Sequence, residues 1–73
     1  MTNAKLLKEK ITASGVTITF LADKLRCSRN RIYSILEGSE CTASEIVGLS
    51  EAIHLTKEER DTIFLSEKVI ENH

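Results

Sequence analysis

Four polar side chains on one short stretch have the chemistry needed to contact the edges of DNA bases. They are Arg29, Asn30, Tyr33 and Ser34, and their spacings of one, three and four residues place them together on one side of a helix. A guanidinium suits the O6 and N7 acceptors of guanine, and a carboxamide suits N6 and N7 of adenine. Tyr33 could pack on a thymine methyl group or reach a phosphate. These residue types predict a helix that reads bases in the major groove.

The helix that carries these side chains is expected over residues 29–36. Ser28 precedes it and is a favoured N-cap residue. Ile32 and Ile35 lie three apart and would face the core. An ordinary amphipathic helix with a solvated basic face would show the same pattern. The residues before Ser28 favour the DNA-reading interpretation.

A second helix is expected over residues 18–25, which carry apolar residues at helical spacing after the potential cap Thr17. Only three residues separate it from Arg29, as in a helix-turn-helix, here about residues 18–37. The small Ala22 would allow the two helices to approach closely. The free N–H groups at the start of the upstream helix could hold a DNA phosphate, with hydroxyl contacts from Thr17 and Thr19. Simple capping explains both threonines equally well.

The residues from Phe20 to Gly38 resemble the helix-turn-helix of the phage Cro/repressor, or lambda-repressor-like, family. The family pattern runs apolar-Ala-x-x-apolar-Gly-apolar-Ser, then a helix with an inward Ile and a Glu-Gly or Asn-Gly exit. The resemblance implies an all-α, five-helix bundle and a small prophage Cro-like transcriptional regulator that binds a double-stranded DNA operator. It implies no cofactor and no small-molecule substrate. The DNA backbone would then be contacted by Arg26, Ser28, Arg31 and Ser39.

Four positions depart from the family pattern. Arg26 stands where the family usually has a Gly with a positive φ. A positive φ costs a non-Gly residue roughly 1 kcal/mol, so we expect a slightly different turn here. Ile18 replaces a Gln that supports a phosphate contact, and that contact is not carried over. Ile11 and Leu36 stand where the family often buries an Arg and a Glu. An apolar contact would replace that pair without the cost of burying charge.

Length and composition favour one small helical domain over residues 1–73. The chain has no Pro, three Gly and three aromatic residues, and Leu and Ile recur at spacings of three and four. The one β-branched run, residues 16–19, has no partner run. A chain of 73 residues buries only around 60 to 65 per cent of its unfolded surface, so an internal catalytic cleft is not expected. We therefore predict a protein that is not an enzyme.

Charge divides the sequence into two unlike halves. Residues 1–38 carry seven basic and three acidic side chains, and residues 39–73 carry three basic and eight acidic ones. The basic half could meet phosphate while the acidic half disfavours binding in the wrong orientation. The acidic half and the total charge of -1 also fit a rival hypothesis. In that hypothesis the protein is an antirepressor or modulator that binds a phage repressor protein rather than DNA.

Neither a metal site nor a membrane segment is expected. Cys27 and Cys41 lie fourteen apart without a CxxC motif, so we expect two small buried thiols and no zinc or disulfide. Glu58, Glu59 and Asp61 fall in the first turn of a predicted helix, where acidic residues offset the helix dipole. No apolar run approaches the ~20 residues that cross a bilayer, and the first residues lack a signal core. A cytoplasmic location is expected.

The other helices are predicted from their caps. The first should run from about residue 4 to 13 and end before Gly15. Two capping boxes, at 42–45 and 56–59, should start helices over about 43–53 and from 57 to about 70. Gly48 should allow a close approach between helices.

The last predicted helix has apolar residues on two sides. Leu65 and Val69 point away from Ile63 and Ile70, and a helix that is apolar on two sides is usually buried on both. Leu65 and Val69 are therefore predicted to meet a second copy of the chain or a repressor partner. A singly exposed Leu65 is the simpler alternative. With a second copy, two reading helices could reach major grooves roughly 34 Å apart.

Overall fold

The computed structural model describes residues 2–65, and the regular structure in that range is helical. The helices are α1 (Ala4–Ser14), α2 (Ile18–Leu25), α3 (Arg29–Leu36), α4 (Ala43–Ala52) and α5 (Lys57–Arg60). A π-helical segment, Asp61–Leu65, continues directly from α5. Over the described residues the protein is therefore an all-α bundle of five helices without a strand, as composition and periodicity predict.

Side-chain caps fix where each helix begins. Each cap oxygen accepts a backbone N–H from the first turn: Asn3 from Leu6, Thr17 from Phe20, Ser28 from Arg31, Thr42 from Glu45, and Thr56 from Glu59. The last two are complete capping boxes, because the glutamate also accepts the N–H of the threonine. The starts predicted for α2, α3, α4 and α5 are confirmed.

The turn between α2 and α3 adopts the left-handed conformation that a glycine would favour. Arg26 has φ 56° and ψ 45°. Its N–H donates to Asp23 O, and the N–H of Cys27 donates to Ala22 O, which are the two hydrogen bonds of a Schellman motif. The expectation of a different turn is therefore wrong. The satisfied carbonyls at the end of α2 help to offset the cost of an Arg in this conformation.

The core is built from one apolar side of each long helix. In the part of the chain whose side chains the structure describes, the large side chains that are fully buried are Leu7, Leu21, Ile32, Ile35, Leu49 and Ile63. The helix α2 packs against both α3 and α4, and α1 packs against α3. At the α2–α4 contact a Cβ on Gly48 would lie 3.0 Å from Leu25 Cδ1. Gly48 therefore allows the close approach predicted for it.

The residues before α1 hold distant parts of the bundle together. The N–H of Asn3 donates to Ile63 O at 2.7 Å. Thr2 is buried, and its hydroxyl donates to Ser39 O at 2.9 Å. The segment joining α3 to α4, which follows the predicted reading helix, is therefore attached to the start of the chain.

The region after Arg60 differs from the prediction of one regular α-helix, because Asp61–Leu65 has π-helical hydrogen bonding. The predicted interface of Leu65 and Val69 lies outside the residues whose side chains the structure describes. Cys27 and Cys41 are free thiols, half-buried rather than buried. Between residues 2 and 65, no helix combines the length and apolar character needed to cross a membrane.

Candidate nucleic-acid interface

The side of α3 opposite the core presents three of the four predicted base-contacting residues. Ile32 and Ile35 are each only 1% exposed, and they fix which side of α3 faces solvent. Arg29, Asn30 and Tyr33 are exposed, and within residues 2–65 their side chains make no hydrogen bond or ion pair. Their donors, acceptors and aromatic ring are therefore available to a ligand.

Ser34, the fourth predicted base contact, lies in a different environment. It is half-buried, and its hydroxyl hydrogen-bonds the hydroxyl of Ser39 at 2.6 Å. The backbone N–H of Ser39 also donates to Ser34 O. Ser34 and Ser39 thus connect the last turn of α3 to the following segment. A base contact from Ser34 would have to share or replace this hydrogen bond.

Two predicted phosphate-binding hydroxyls are also helix caps. Thr17 Oγ1 accepts the N–H of Phe20 at 3.0 Å, and Ser28 Oγ accepts the N–H of Arg31 at 3.1 Å. A hydroxyl that accepts one hydrogen bond still has its own proton to donate. Capping and donation to a phosphate oxygen are therefore compatible at both residues. Thr19 is exposed in the first turn of α2.

Arg26 and Arg29 supply exposed positive charge on either side of Ser28. Both arginines are exposed, and neither forms an ion pair in the part of the chain that the structure describes. Lys24, on α2, lies 3.7 Å from the carboxylate of Glu51 on α4, and both side chains are well exposed. Such a surface pair contributes little. Positive charge at this face therefore comes mainly from the two arginines.

Arg31, predicted to contact phosphate, is instead held by α4. Its Nε and Nη2 donate to Glu45 Oε2 and Oε1, both at 2.8 Å, and Nη2 also donates to Glu40 O at 2.9 Å. The side chain of Glu45 is only 13% exposed. Two parallel charge-assisted hydrogen bonds are among the strongest polar contacts in proteins. The geometry therefore gives Arg31 a structural role, and its predicted contact with phosphate, which stays a prediction, would have to compete with Glu45 for the guanidinium.

This ion pair stays charged across the physiological pH range. Hydrogen bonds from Arg31 are the main reason why the pKa of Glu45 is lowered to about 2. The N–H of Thr42 lowers the pKa of Glu45 further. The hydrogen bond with Glu45 raises the pKa of Arg31. Burial raises the pKa of both thiols near this pair, Cys27 and Cys41, so both are neutral at neutral pH.

The acidic residues of the last helical region have structural partners. Glu59 accepts the N–H of Thr56 and forms an ion pair with Lys10 on α1. Asp61 accepts a hydrogen bond from Lys57 at 3.1 Å, one turn earlier. Within residues 2–65, no three His, Cys, Asp or Glu side chains are grouped so that they could hold a metal ion. These contacts agree with a capping role for Glu59.

Comparison of the chain with protein-family models, with curated proteins and with solved structures gives no match. Its function must therefore be argued from the chemistry and geometry of α2, α3 and the turn between them.

Proposed function

We propose that the protein is a sequence-specific DNA-binding transcriptional regulator of the Cro/repressor type. In this proposal α2, the turn and α3 form a helix-turn-helix, and α3 inserts into the major groove of an operator. The observation that carries the proposal is the set Arg29, Asn30 and Tyr33, whose side chains have no partner within residues 2–65 and lie on a helix whose other side is anchored in the core. A major groove admits an α-helix, and its base edges need such donors, acceptors and apolar groups.

The residues around α3 suit the phosphates that border a groove. The N-terminal ends of α2 and α3 carry capping hydroxyls, and Arg26 lies in the turn that joins the two helices. Contacts to phosphate orient a protein on the duplex, whereas contacts to base edges provide sequence preference. We assign Thr17, Thr19, Arg26, Ser28 and Ser39 to the first group. Arg29, Asn30 and Tyr33 belong to the second group, and Ser34 is a weaker member of it.

The proposed mechanism needs no chemical step. A regulator of this kind acts by occupying its operator, which blocks or redirects transcription. Arg29 would bind a guanine through two hydrogen bonds, and Asn30 would do the same at an adenine. Each such contact discriminates against the wrong base by about 1 to 3 kcal/mol.

A titration against DNA tests the proposal. The purified protein would first select duplexes from a pool with about 20 randomised base pairs, and the selected duplexes would then be titrated at two salt concentrations. We expect a specific complex whose affinity falls as salt rises, because cations at the interface release counterions from the DNA. Absence of a salt-sensitive, sequence-specific complex at about 1 μM protein would contradict DNA binding by this protein alone.

A protein-binding modulator is the second candidate, because little positive charge is available at α3. Glu45 neutralises Arg31, and residues 39–73 carry an excess of acidic side chains. In that case the protein would bind a larger phage repressor and change its operator affinity. Adding the protein to a complex of such a repressor with DNA separates the candidates. A modulator displaces or strengthens the repressor without binding the duplex itself.

A further inference from the structure

We infer that Glu45 is a positioning residue for α3, which it fixes against α4 through Arg31. This inference rests on the proposed function, in which α3 is the reading helix. Glu45 contacts no DNA in this arrangement. Its role is to set the rotation of α3 about its own axis, and with it the direction of Arg29, Asn30 and Tyr33.

The geometry joins three parts of the chain at one carboxylate. Glu45 Oε1 accepts the N–H of Thr42 at 2.8 Å, which caps α4, and also accepts a hydrogen bond from Arg31. Glu45 Oε2 accepts a hydrogen bond from Arg31 Nε, and Arg31 Nη2 also donates to Glu40 O. The start of α4, the segment before it and the middle of α3 are thereby fixed to each other.

Core packing sets which side of α3 faces solvent, and a directional contact fixes the rotation of the helix more narrowly. The inner side of α3 packs through Ile32 and Ile35, and apolar contacts have little directional preference. A bidentate arginine–carboxylate pair fixes both distance and orientation. Arg31 directly follows Asn30 in the chain. A small rotation of α3 would therefore move the base-contacting side chains out of register with the base edges.

If Arg31 contacts phosphate instead of positioning α3, neutralising Glu45 should strengthen DNA binding rather than weaken it. If Arg31 bound phosphate and Glu45 merely competed for it, Glu45→Gln would release Arg31 to the DNA. Binding to all sequences would strengthen, and the salt dependence would steepen by about one. If Glu45 positions α3, Glu45→Gln weakens binding to the selected site more than binding to random DNA.

The chain offers a matched control in Glu59. Glu45 and Glu59 are both the fourth residue of a capping box, and each forms an ion pair with a basic side chain from another helix. Glutamine also serves at this position of a capping box, so each Glu→Gln substitution preserves the cap while removing the charge. The two variants differ in which helix loses its partner. Glu45→Gln frees α3, and Glu59→Gln frees α1.

Amide hydrogen exchange tests the inference without DNA. We expect Glu45→Gln to speed exchange of the α3 amides at residues 32–36 about tenfold relative to their rate in Glu59→Gln, because local opening of α3 becomes easier. Equal exchange of these amides in the two variants would overturn the inference. This result does not depend on whether the protein binds DNA, so it separates a failure of the inference from a failure of the proposed function.

Binding then tests the consequence for recognition, under conditions where circular dichroism shows each variant folded. For Glu45→Gln we expect the ratio of selected-site to random-DNA affinity to fall about tenfold, as for the loss of one base contact, and for Glu59→Gln less than twofold. In an Arg31→Gln background, Glu45→Gln should have no further effect, because Glu45 acts through Arg31. An unchanged ratio, or stronger binding to random DNA, in Glu45→Gln would overturn the positioning role.

Discussion

Arg29 and Arg31 show how one residue type takes two roles on the same helix. Side chains two positions apart on an α-helix are separated by about 200° around the helix axis, so they lie on nearly opposite sides. Arg29 therefore projects away from the core and has no partner within residues 2–65, whereas Arg31 reaches the carboxylate of Glu45. The partner lies 14 residues later in the sequence. No local pattern reveals such a pair, which is why sequence reasoning assigned Arg31 to phosphate.

The first prediction separates base contacts from backbone contacts at two exposed arginines. Arg29→Ala should cost about 1 to 3 kcal/mol at the selected site and much less on random DNA, because a bidentate guanine contact is lost. Arg26→Ala should weaken binding to both DNAs alike and lower the salt slope by about one. Competition titrations at several salt concentrations measure both effects. Equal losses on the two DNAs for Arg29→Ala would argue against its base-reading role.

The second prediction concerns the pH dependence that Glu45 gives to stability. Hydrogen bonds from Arg31 lower the pKa of Glu45 to about 2 in the folded protein, well below its usual value, so the folded state favours the charged form. The stabilisation is present above the unfolded pKa and is lost as pH falls from about 5 to 2. We expect Glu45→Gln to lower the free energy of unfolding at pH 7 by about 2 to 3 kcal/mol.

Urea denaturation of wild type and Glu45→Gln between pH 7 and pH 2 measures this effect. The stability difference between the two proteins should shrink towards acid pH, because protonated Glu45 resembles glutamine. A difference that stays constant down to pH 2 would show that the ion pair adds no stability that depends on the charge of Glu45.

At the scale of the helices, the predicted starts of all five helices and the predicted ends of α1 to α4 agree closely with the structure. The starts of α2, α3 and α4 are those expected, because a capping side chain and the N–H that it accepts are only two or three residues apart. The first helix ends at Ser14, one residue later than predicted. Such signals are local and can be read from single residues. The inward positions of Ile32 and Ile35 follow from helical periodicity in the same way.

The third prediction compares two helix ends that have the same backbone conformation and different residues. Gly15 has φ 78°, and a Cβ there would meet no atom within 4 Å. Gly15→Ala should therefore destabilise the protein by about 1 kcal/mol through backbone strain alone. Arg26→Gly should stabilise it by less than about 1 kcal/mol, since glycine also makes the unfolded chain more flexible. Urea denaturation measures both, and a stabilising Gly15→Ala would contradict the strain argument.

Features that depend on contacts between helices could not be predicted. The pairs of Arg31 with Glu45 and of Lys10 with Glu59 join residues on different helices. The π-helical hydrogen bonding of Asp61–Leu65 has no local signature, and this segment contacts the bundle through the buried Ile63 and Phe64. Sequence reasoning therefore found the exposed residues of the candidate site. It missed the ion pair that holds them in place.

At the scale of the whole molecule, the α2–α3 face carries few unpaired positive charges within residues 2–65. Arg26 and Arg29 are the exposed arginines at the α2–α3 face, and Arg31 is paired with Glu45. A protein that neutralises about two or three phosphates shows a salt slope of only about -2 to -3. Electrostatic attraction of this size gives weak binding. One copy is therefore poorly suited to hold an operator by itself.

The last prediction is that a stable operator complex contains two copies on an approximate inverted repeat. Two reading helices would enter major grooves roughly 34 Å apart, and the salt slope would double to about -4 to -6. The protein would be titrated against two duplexes, one with a single half-site and one with two half-sites about 10 base pairs apart. Titration gives the affinity and the salt slope, and sedimentation gives the number of bound copies. If Leu65 and Val69 join the copies, Leu65→Glu/Val69→Glu should remove the advantage of the second half-site. Val47→Glu, at an α4 residue that is 50% exposed, provides a control and should preserve it. A one-to-one complex with equal affinity and salt slope on both duplexes would rule out paired binding.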